Sequence, residues 1–148
     1  MDETINPVDL VERMYAAMNT GNPELIEDVA TNVLAPAWSN EPLAPGQQPG
    51  ADGFRAFVPW LRTVWPDFNC THDEVMVSAD GSTVAFRSTS RVTHTTSDFF
   101  GIPATGRTAA YNAFDFHHIA EGRIQRSYHL EDFLGLAMQL GAHLTPGS

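Results

Sequence analysis

The sequence predicts an α+β protein of one domain, residues 1–148, in which helices cover one face of an antiparallel sheet. Apolar residues recur at three- and four-residue steps in the first 65 residues, whereas from Asn69 onward they alternate every second residue. A length of 148 residues suits a single domain that buries roughly two thirds of its unfolded surface. We therefore expect three helices followed by a four-stranded meander.

The N-terminal half supplies the helices. The first is predicted over 8–19, between Pro7 and Gly21, which are typical start and stop signals. A second short helix follows over 23–33 and a third over 54–65. Between them, 35–53 holds four prolines, and we interpret it as a long surface loop that covers a pocket as a lid.

The C-terminal half supplies the strands, predicted at about 70–78, 83–94, 107–119 and 123–132. Turn residues occupy 79–82 and 120–122. A closing helix is predicted over 132–140, and it ends at Gly141.

The last hairpin decides which side chains face inward. A three-residue loop over 120–122 would pair Ile119 with Arg123 and would separate an apolar face from a polar one. The face expected inside carries Asn112, Phe114, Phe116, His118, Ile124, Arg126, Tyr128, Leu130 and Asp132. The face expected outside carries Asp115, His117, Gln125, Ser127, His129 and Glu131.

The same reasoning on the preceding strand predicts that Phe86, Ser88, Ser90, Val92 and His94 face inward. With Val92 opposite Ala110, His94 lies one row from Asp132, within reach of a diagonal contact. A histidine and a carboxylate on one pocket wall are the minimum equipment for moving protons on carbon.

Composition excludes several functions. The formal net charge is −10 and no arginine cluster stands out, so nucleic acid and anionic membranes are poor partners. The chain contains no lysine, which excludes Schiff-base chemistry on a lysine amine. A single cysteine, Cys70, cannot form an intrachain disulfide. With no signal peptide or membrane-length apolar run, a soluble, cytoplasmic protein is expected.

Each candidate residue has a structural interpretation beside the functional one. Asp132 is a candidate acid–base group, or a cap of the helix that it begins. His94 is a pocket histidine or a satisfied strand residue, and His118 is more typical of a structural role. Neutral donors for a substrate oxygen are Ser90, Asn112 and Tyr128. Further substrate-binding candidates are Tyr15, Trp38, Asn40, Trp65 and Phe114.

Two further combinations are disfavoured. Cys70 and His72 share a strand face, but no third group is evident to orient a thiol nucleophile. His72, Asp73 and Glu74 are adjacent strand residues that point to opposite faces, so we expect no metal site.

The spacing of Thr93-His94, the segment Gly101 to Arg107, Glu121 to Ile124, Tyr128, Asp132 and Gln139-Leu140-Gly141 resembles the SnoaL-like polyketide cyclase family. The resemblance implies a cone-shaped α+β barrel like that of nuclear transport factor 2, assembled as a homodimer or homotetramer. It also implies intramolecular aldol condensation without metal or cofactor, with Asp132 at the position of the family's acid–base aspartate. The sequence departs from the family at Asn40-Glu41, where an aspartate–histidine pair is common, and at Tyr128, where tryptophan is usual.

The leading hypothesis is a cofactor-free cyclase that acts on a bulky apolar carbonyl substrate. Asp132 would remove the proton, and His94 with Asn112 or Tyr128 would stabilise the enolate. Two alternatives stay open: a hydrolase, hydratase or hydroxylase in the same cavity, and a non-catalytic module that binds an apolar small molecule.

Overall fold

A mixed five-stranded sheet and four α-helices make up the computed structural model, which describes residues 5–147. The helices are α1 (Pro7–Thr20), α2 (Pro23–Asp28), which continues as a π-helical turn (Val29–Val33), α3 (Gly50–Val64) and α4 (Phe133–Gln139). The strands are β1 (Leu34–Glu41), β2 (Asn69–Val77), β3 (Thr83–Thr93), β4 (Thr108–Ala120) and β5 (Arg123–Glu131). The predicted α+β class, with three N-terminal helices and a short C-terminal one, is confirmed.

The sheet is curved, mixed and not closed. Its strand order is β1-β5-β4-β3-β2, with β1 parallel to β5 and all other pairs antiparallel. Helices α1 and α3 pack on its inner face, where Val11, Phe54 and Val58 are almost fully buried.

Local signals fix the N-terminal helices. The Asn6 side chain accepts a hydrogen bond from the backbone N–H of Val8, and Pro7 occupies the first helical turn of α1. Gly21 ends α1 in the left-handed conformation with φ 65°. The Asn22 side chain then caps α2 by accepting from Glu24 and Leu25.

The prediction of a surface loop over 35–53 is wrong at both ends. Residues 34–41 form β1, and α3 begins at Gly50 rather than Phe54. Pro36 is tolerated in β1 because this strand lies at the sheet edge, where a missing N–H breaks no ladder. Leu34, Ala35 and Trp38 are buried, so only 42–49 remains as a connecting loop.

The predicted hairpin register is also wrong. The turn contains two residues, Glu121 with φ 53° and Gly122 with φ 71°, and Ala120 pairs with Arg123. A bulge follows, because Ile119 pairs with Ile124 but His118 pairs with Arg126.

The pairing of β3 with β4 also differs from the predicted register, by one residue. Val92 pairs with Ala109, not with Ala110 as expected. A one-residue slip moves every side chain of a strand to the other face. The interior face predicted for β3 is correct, because Phe86, Ser88, Ser90, Val92 and His94 are buried. The faces predicted for β4 and for most of β5 are inverted.

The inversion leaves large apolar side chains in solvent. Phe114 is 56% exposed, Phe116 51% and Leu130 74%. The inner face of β4 instead carries Ala109, Tyr111, Ala113, Asp115 and His117, all buried. Ile124 faces inward as predicted, since it precedes the bulge.

Among the described residues, every helix is too short or too polar to cross a membrane.

Candidate functional site

A cavity of about 420 Å³ lies between the inner face of the sheet, α3 and the loops that flank it. This volume suits a small organic ligand. Most of the wall is apolar, and its members include Met18, Phe57, Trp60, Leu61, Val64, Trp65, Phe68, Phe99, Phe100 and Phe133. The polar groups are few: Tyr15, Asn40, Cys70, Ser90, Asp98, Tyr111, His129 and Glu131.

Glu131 and His129 form a charged pair on the cavity wall. The Nδ1 atom of His129 lies 2.7 Å from Oε1 of Glu131, and its Nε2 atom lies 2.6 Å from the carbonyl oxygen of Pro42. A carbonyl only accepts, and an ionised carboxylate only accepts, so both ring nitrogens are placed to donate. Burial alone would lower the pKa of His129, but the hydrogen bond and charge of Glu131 outweigh it and raise the pKa. The pair therefore favours an imidazolium beside a carboxylate.

Tyr111 and Ser90 supply neutral hydroxyl groups. They face each other across β3 and β4 and are both buried. Burial raises the pKa of Tyr111 far above its ordinary value, although the nearby hydroxyl group of Ser90 opposes this rise and the charge of Glu131 adds to it. Tyr111 therefore keeps its proton and can donate it to a ligand oxygen.

A chain of buried polar side chains lies behind the cavity. The phenol of Tyr15 donates to Oδ2 of Asp115, and Nε2 of His117 lies 3.8 Å from the same oxygen. Nδ1 of His117 is 2.8 Å from Oγ of Ser127, which accepts from Nε1 of Trp38 at 3.0 Å. The pairing is incomplete, because Oδ1 of Asp115 and Nε2 of His117 are buried without a hydrogen-bond partner, which is costly in a protein interior.

Cys70 is not equipped as a nucleophile. Burial raises the pKa of its thiol to about 11, so the reactive thiolate is scarce near neutrality. His72 binds Glu12 through Nδ1 at 2.8 Å. Within residues 5–147, no group of three His, Cys, Asp or Glu side chains is placed to hold a metal ion.

Four of the predicted site residues line the cavity: Tyr15, Asn40, Trp65 and Ser90. Asp132 does not. It is exposed, and its Oδ1 accepts the backbone N–H of Gly135 at 2.8 Å as the N-cap of α4. The prediction that Asp132 opens into the interior is wrong, because Glu131 takes the inward position.

His94 is buried but lies outside the cavity wall. Its Nδ1 accepts the backbone N–H of Thr105 at 3.2 Å, and its ring packs 5.9 Å from that of Trp65. It lies one residue beyond the end of β3, and its Nε2 atom is buried without a hydrogen-bond partner. It does not adjoin Asp132 as predicted, because the β3–β4 register differs from the expected one by one residue and the β4–β5 register by two.

The other predicted residues lie elsewhere. Asn112, Phe114, His118 and Tyr128 are on the outer face of the sheet, and the first three are exposed. The inward placement of these four residues is wrong because the faces of β4 and of most of β5 are inverted. Trp38 in β1 is 3% exposed and donates to Ser127, but it is not part of the cavity wall.

Sequence reasoning missed Glu131, His129, Tyr111 and Asp115 as interior groups. It assigned the more apolar face of the hairpin to the interior, which fails where the interior holds a polar site. One available signal was the alternation of Ala109 and Ala113 in β4, because small residues on a strand leave room for a cavity.

The fold and site together define a class: a small α+β protein whose apolar cavity surrounds one histidine–carboxylate pair and a few hydroxyl groups. The sequence profile of the SnoaL-like polyketide cyclase family matches residues 8–140. The chain belongs to this family and is an enzyme of the cyclase type.

Individual relatives agree. The chain is 30% identical over 140 residues to aklanonic acid methyl ester cyclase DauD of Streptomyces sp. (strain C5), covering 90% of this chain and 81% of that one. The structure of TsrD from Streptomyces laurentii superposes with a TM-score of 0.78 at 27% identity, covering 97% of this chain and 99% of that one. A SnoaL-like polyketide cyclase from Agrobacterium tumefaciens shares the fold, with a TM-score of 0.74 at 16% identity, covering 93% and 100%.

Proposed function

We propose that the protein cyclises a bulky apolar carbonyl compound by aldol chemistry, with Glu131 as the proton-transfer group. The observation that supports this most is the position of Glu131. It is paired with His129 in a cavity whose remaining wall is mostly apolar. A carboxylate in such a site meets a substrate C–H with little competition from water.

The proposed steps need no cofactor. Glu131 takes a proton from the carbon alpha to a carbonyl, and the hydroxyl groups of Tyr111 and Ser90 donate hydrogen bonds to the enolate oxygen. The enolate carbon then attacks a second carbonyl of the same molecule and forms a C–C bond. The new alkoxide receives the proton held by Glu131, so substrate and product are isomers and the enzyme returns to its starting state.

Electrostatics favour an uncharged substrate. Glu131 and Asp98 place negative charge at the cavity, and none of the described residues that line it is arginine. Among the described lining residues the cation is His129, and Glu131 already neutralises it, so a free carboxylate on the ligand would meet the remaining negative charge of Asp98. A carboxylic ester avoids this cost, so aklanonic acid methyl ester, named for the relative DauD, is the first substrate to test.

The decisive comparison uses two adjacent carboxylates. Glu131→Gln should lower the rate of ring closure of aklanonic acid methyl ester by about 10²–10⁴-fold, the usual contribution of general acid–base catalysis. Asp132→Asn should keep the rate within about twofold, because asparagine caps a helix as well as aspartate does.

The opposite result, an active Glu131→Gln and an inactive Asp132→Asn, would assign proton transfer to Asp132, which matches the acid–base aspartate of the family. Turnover is measured as the formation of product and as deuterium exchange at the alpha carbon. If the ester binds with neither ring closure nor exchange, the binding-module alternative replaces the cyclase for this compound.

We also propose that two copies of the chain associate through the outer face of the sheet. Phe114, Phe116 and Leu130 lie there together with Met76, which is 73% exposed. Exposed large apolar side chains grouped on one surface are typical of association sites. A homodimer about a two-fold axis would bury this face against itself.

Analytical ultracentrifugation tests this assembly. The native chain should sediment at twice its mass of 16.2 kDa, and Phe116→Glu should shift it to the monomer mass. Leu144→Glu is the matched control, since Leu144 is 78% exposed and follows α4 outside the strands. A native monomer, or a dimer unaffected by Phe116→Glu, would contradict the proposal.

A further inference from the structure

Tyr15 is one of the residues that line the cavity, and the hydrogen of its hydroxyl group is already bound within the protein. Its hydroxyl donates to Asp115, a carboxylate that is 1% exposed. Burial, followed by the charge of Asp115, raises the pKa of Tyr15 well above its ordinary value, so the phenol stays protonated. Of the two partners, Tyr15 is therefore the donor.

The surroundings of Asp115 hold it as an acceptor. Trp38 can only donate, so its N–H occupies a lone pair of Ser127 Oγ and leaves the Ser127 hydrogen free to bind Nδ1 of His117. In the neutral tautomer this arrangement places the ring hydrogen of His117 on Nε2, the atom 3.8 Å from Asp115. That distance is too long for a hydrogen bond, so within residues 5–147 Tyr15 is the one group that donates to the Asp115 side chain, and Oδ1 of Asp115 is buried without a partner.

We propose that Tyr15 forms an acceptor subsite, which recognises a phenolic or enolic O–H of the ligand and not a carbonyl. The lone pairs of the Tyr15 oxygen can accept, whereas its hydrogen is held by Asp115. Tyr111 and Ser90 carry hydroxyl groups able to donate. The cavity thus has a group that accepts and groups that donate, and a ligand with both a hydroxyl and a carbonyl satisfies both.

The subsite deepens the proposed function, on which it rests for the identity of the cavity as the substrate site. A ligand hydroxyl would gain a hydrogen bond to an oxygen made electron-rich by the buried carboxylate behind it. A methyl ether at the same place cannot donate. Because such a bond is of the stronger kind, we expect about a tenfold difference in affinity.

Calorimetric titration with two small probes tests the subsite without any turnover. The native protein should bind 1-naphthol about tenfold more tightly than 1-methoxynaphthalene. In Tyr15→Phe the two dissociation constants should become equal within about twofold. Tyr128→Phe, which removes a phenol from the outer face, should keep the preference and serves as the control.

A second variant addresses the role of Asp115 as a positioning residue. Asp115→Leu frees the Tyr15 hydrogen to donate into the cavity, so the preference for the hydroxyl probe should fall. If this variant does not fold, Tyr15→Phe alone decides. Equal affinities in the native protein, or a preference that survives Tyr15→Phe, would overturn the proposal, whatever the outcome of the Glu131→Gln experiment.

Discussion

On β4 and β5 the inner face of the sheet is more polar than the outer face, which is the reverse of the usual arrangement. The inner face of β4 and β5 carries Asp115, His117, Ser127, His129 and Glu131, all buried or half-buried. The outer face of the same strands carries Phe114, Phe116 and Leu130, all more than half exposed. Both faces alternate with a period of two, as strands require, but the more polar set lies inside.

The difference shows what each face is built to contact. Inner polar groups are paired with one another or face the cavity, as Tyr15 with Asp115 and His129 with Glu131 do. Helices α1 and α3 supply the apolar packing of this side, so the sheet does not need to. The outer face presents the rings of Phe114 and Phe116 to solvent.

The largest expected effect comes from truncating one phenylalanine on each face. Phe86 on β3 is 3% exposed, and Phe116 on β4 is 51% exposed. Phe86→Ala should lower the free energy of unfolding by about 3–5 kcal/mol, the usual cost of a cavity in a packed core. Urea titration measures it.

Phe116→Ala should cost less than about 1 kcal/mol at protein concentrations where the chain is monomeric, because little packing is lost. Equal costs for Phe86→Ala and Phe116→Ala would contradict the assignment of inner and outer faces.

A smaller effect is expected for the two tyrosines. Tyr15→Phe leaves the buried Asp115 without its hydrogen-bond donor and should cost about 1–3 kcal/mol in unfolding free energy. Tyr128→Phe removes a hydroxyl that accepts from the exposed Arg126, so we expect a change within about 0.5 kcal/mol. A neutral Tyr15→Phe would show that Asp115 is satisfied in another way.

The smallest effect concerns pH. Because Glu131 raises the pKa of His129 in the folded protein, protonation of His129 stabilises the fold. This contribution is complete below the ordinary histidine pKa of about 6.5 and is lost as the pH rises through the folded pKa above it. The difference in unfolding free energy between the native protein and His129→Gln should therefore shrink from pH 6 to pH 9. A difference that grows with pH would contradict the pairing with Glu131.

The elements with strong local signals were predictable. The Asn6-Pro7 start and Gly21 end fix α1 through neighbouring residues, and the alternation in β3 gave its buried face correctly. β1 was missed because prolines in 35–53 suggest a loop, whereas Pro36 lies on a sheet edge that only the tertiary fold reveals. The register of β4 was missed because two competing pairings differ by one residue.

The candidate site depended on that register. The predicted register of β4 was one residue off, so Asn112 was predicted to face inward in place of Tyr111. Choosing the more apolar face of the hairpin as the interior then selected Asp132 in place of Glu131. Hydrophobicity separates the two faces of a strand but does not say which one encloses a ligand. The identity of the family was accessible because short motifs along the chain survive an error in pairing.

Gln125 is the residue that the bulge leaves without a ladder partner. Were it paired, the parity of β5 would change, and Tyr128, Leu130 and Asp132 would turn inward while His129 and Glu131 turned out. Position numbers in an alignment therefore do not suffice to transfer a reactive carboxylate between relatives. Two homologues of equal hairpin length, one bulged and one regular, would offer neighbouring acids to the same ligand.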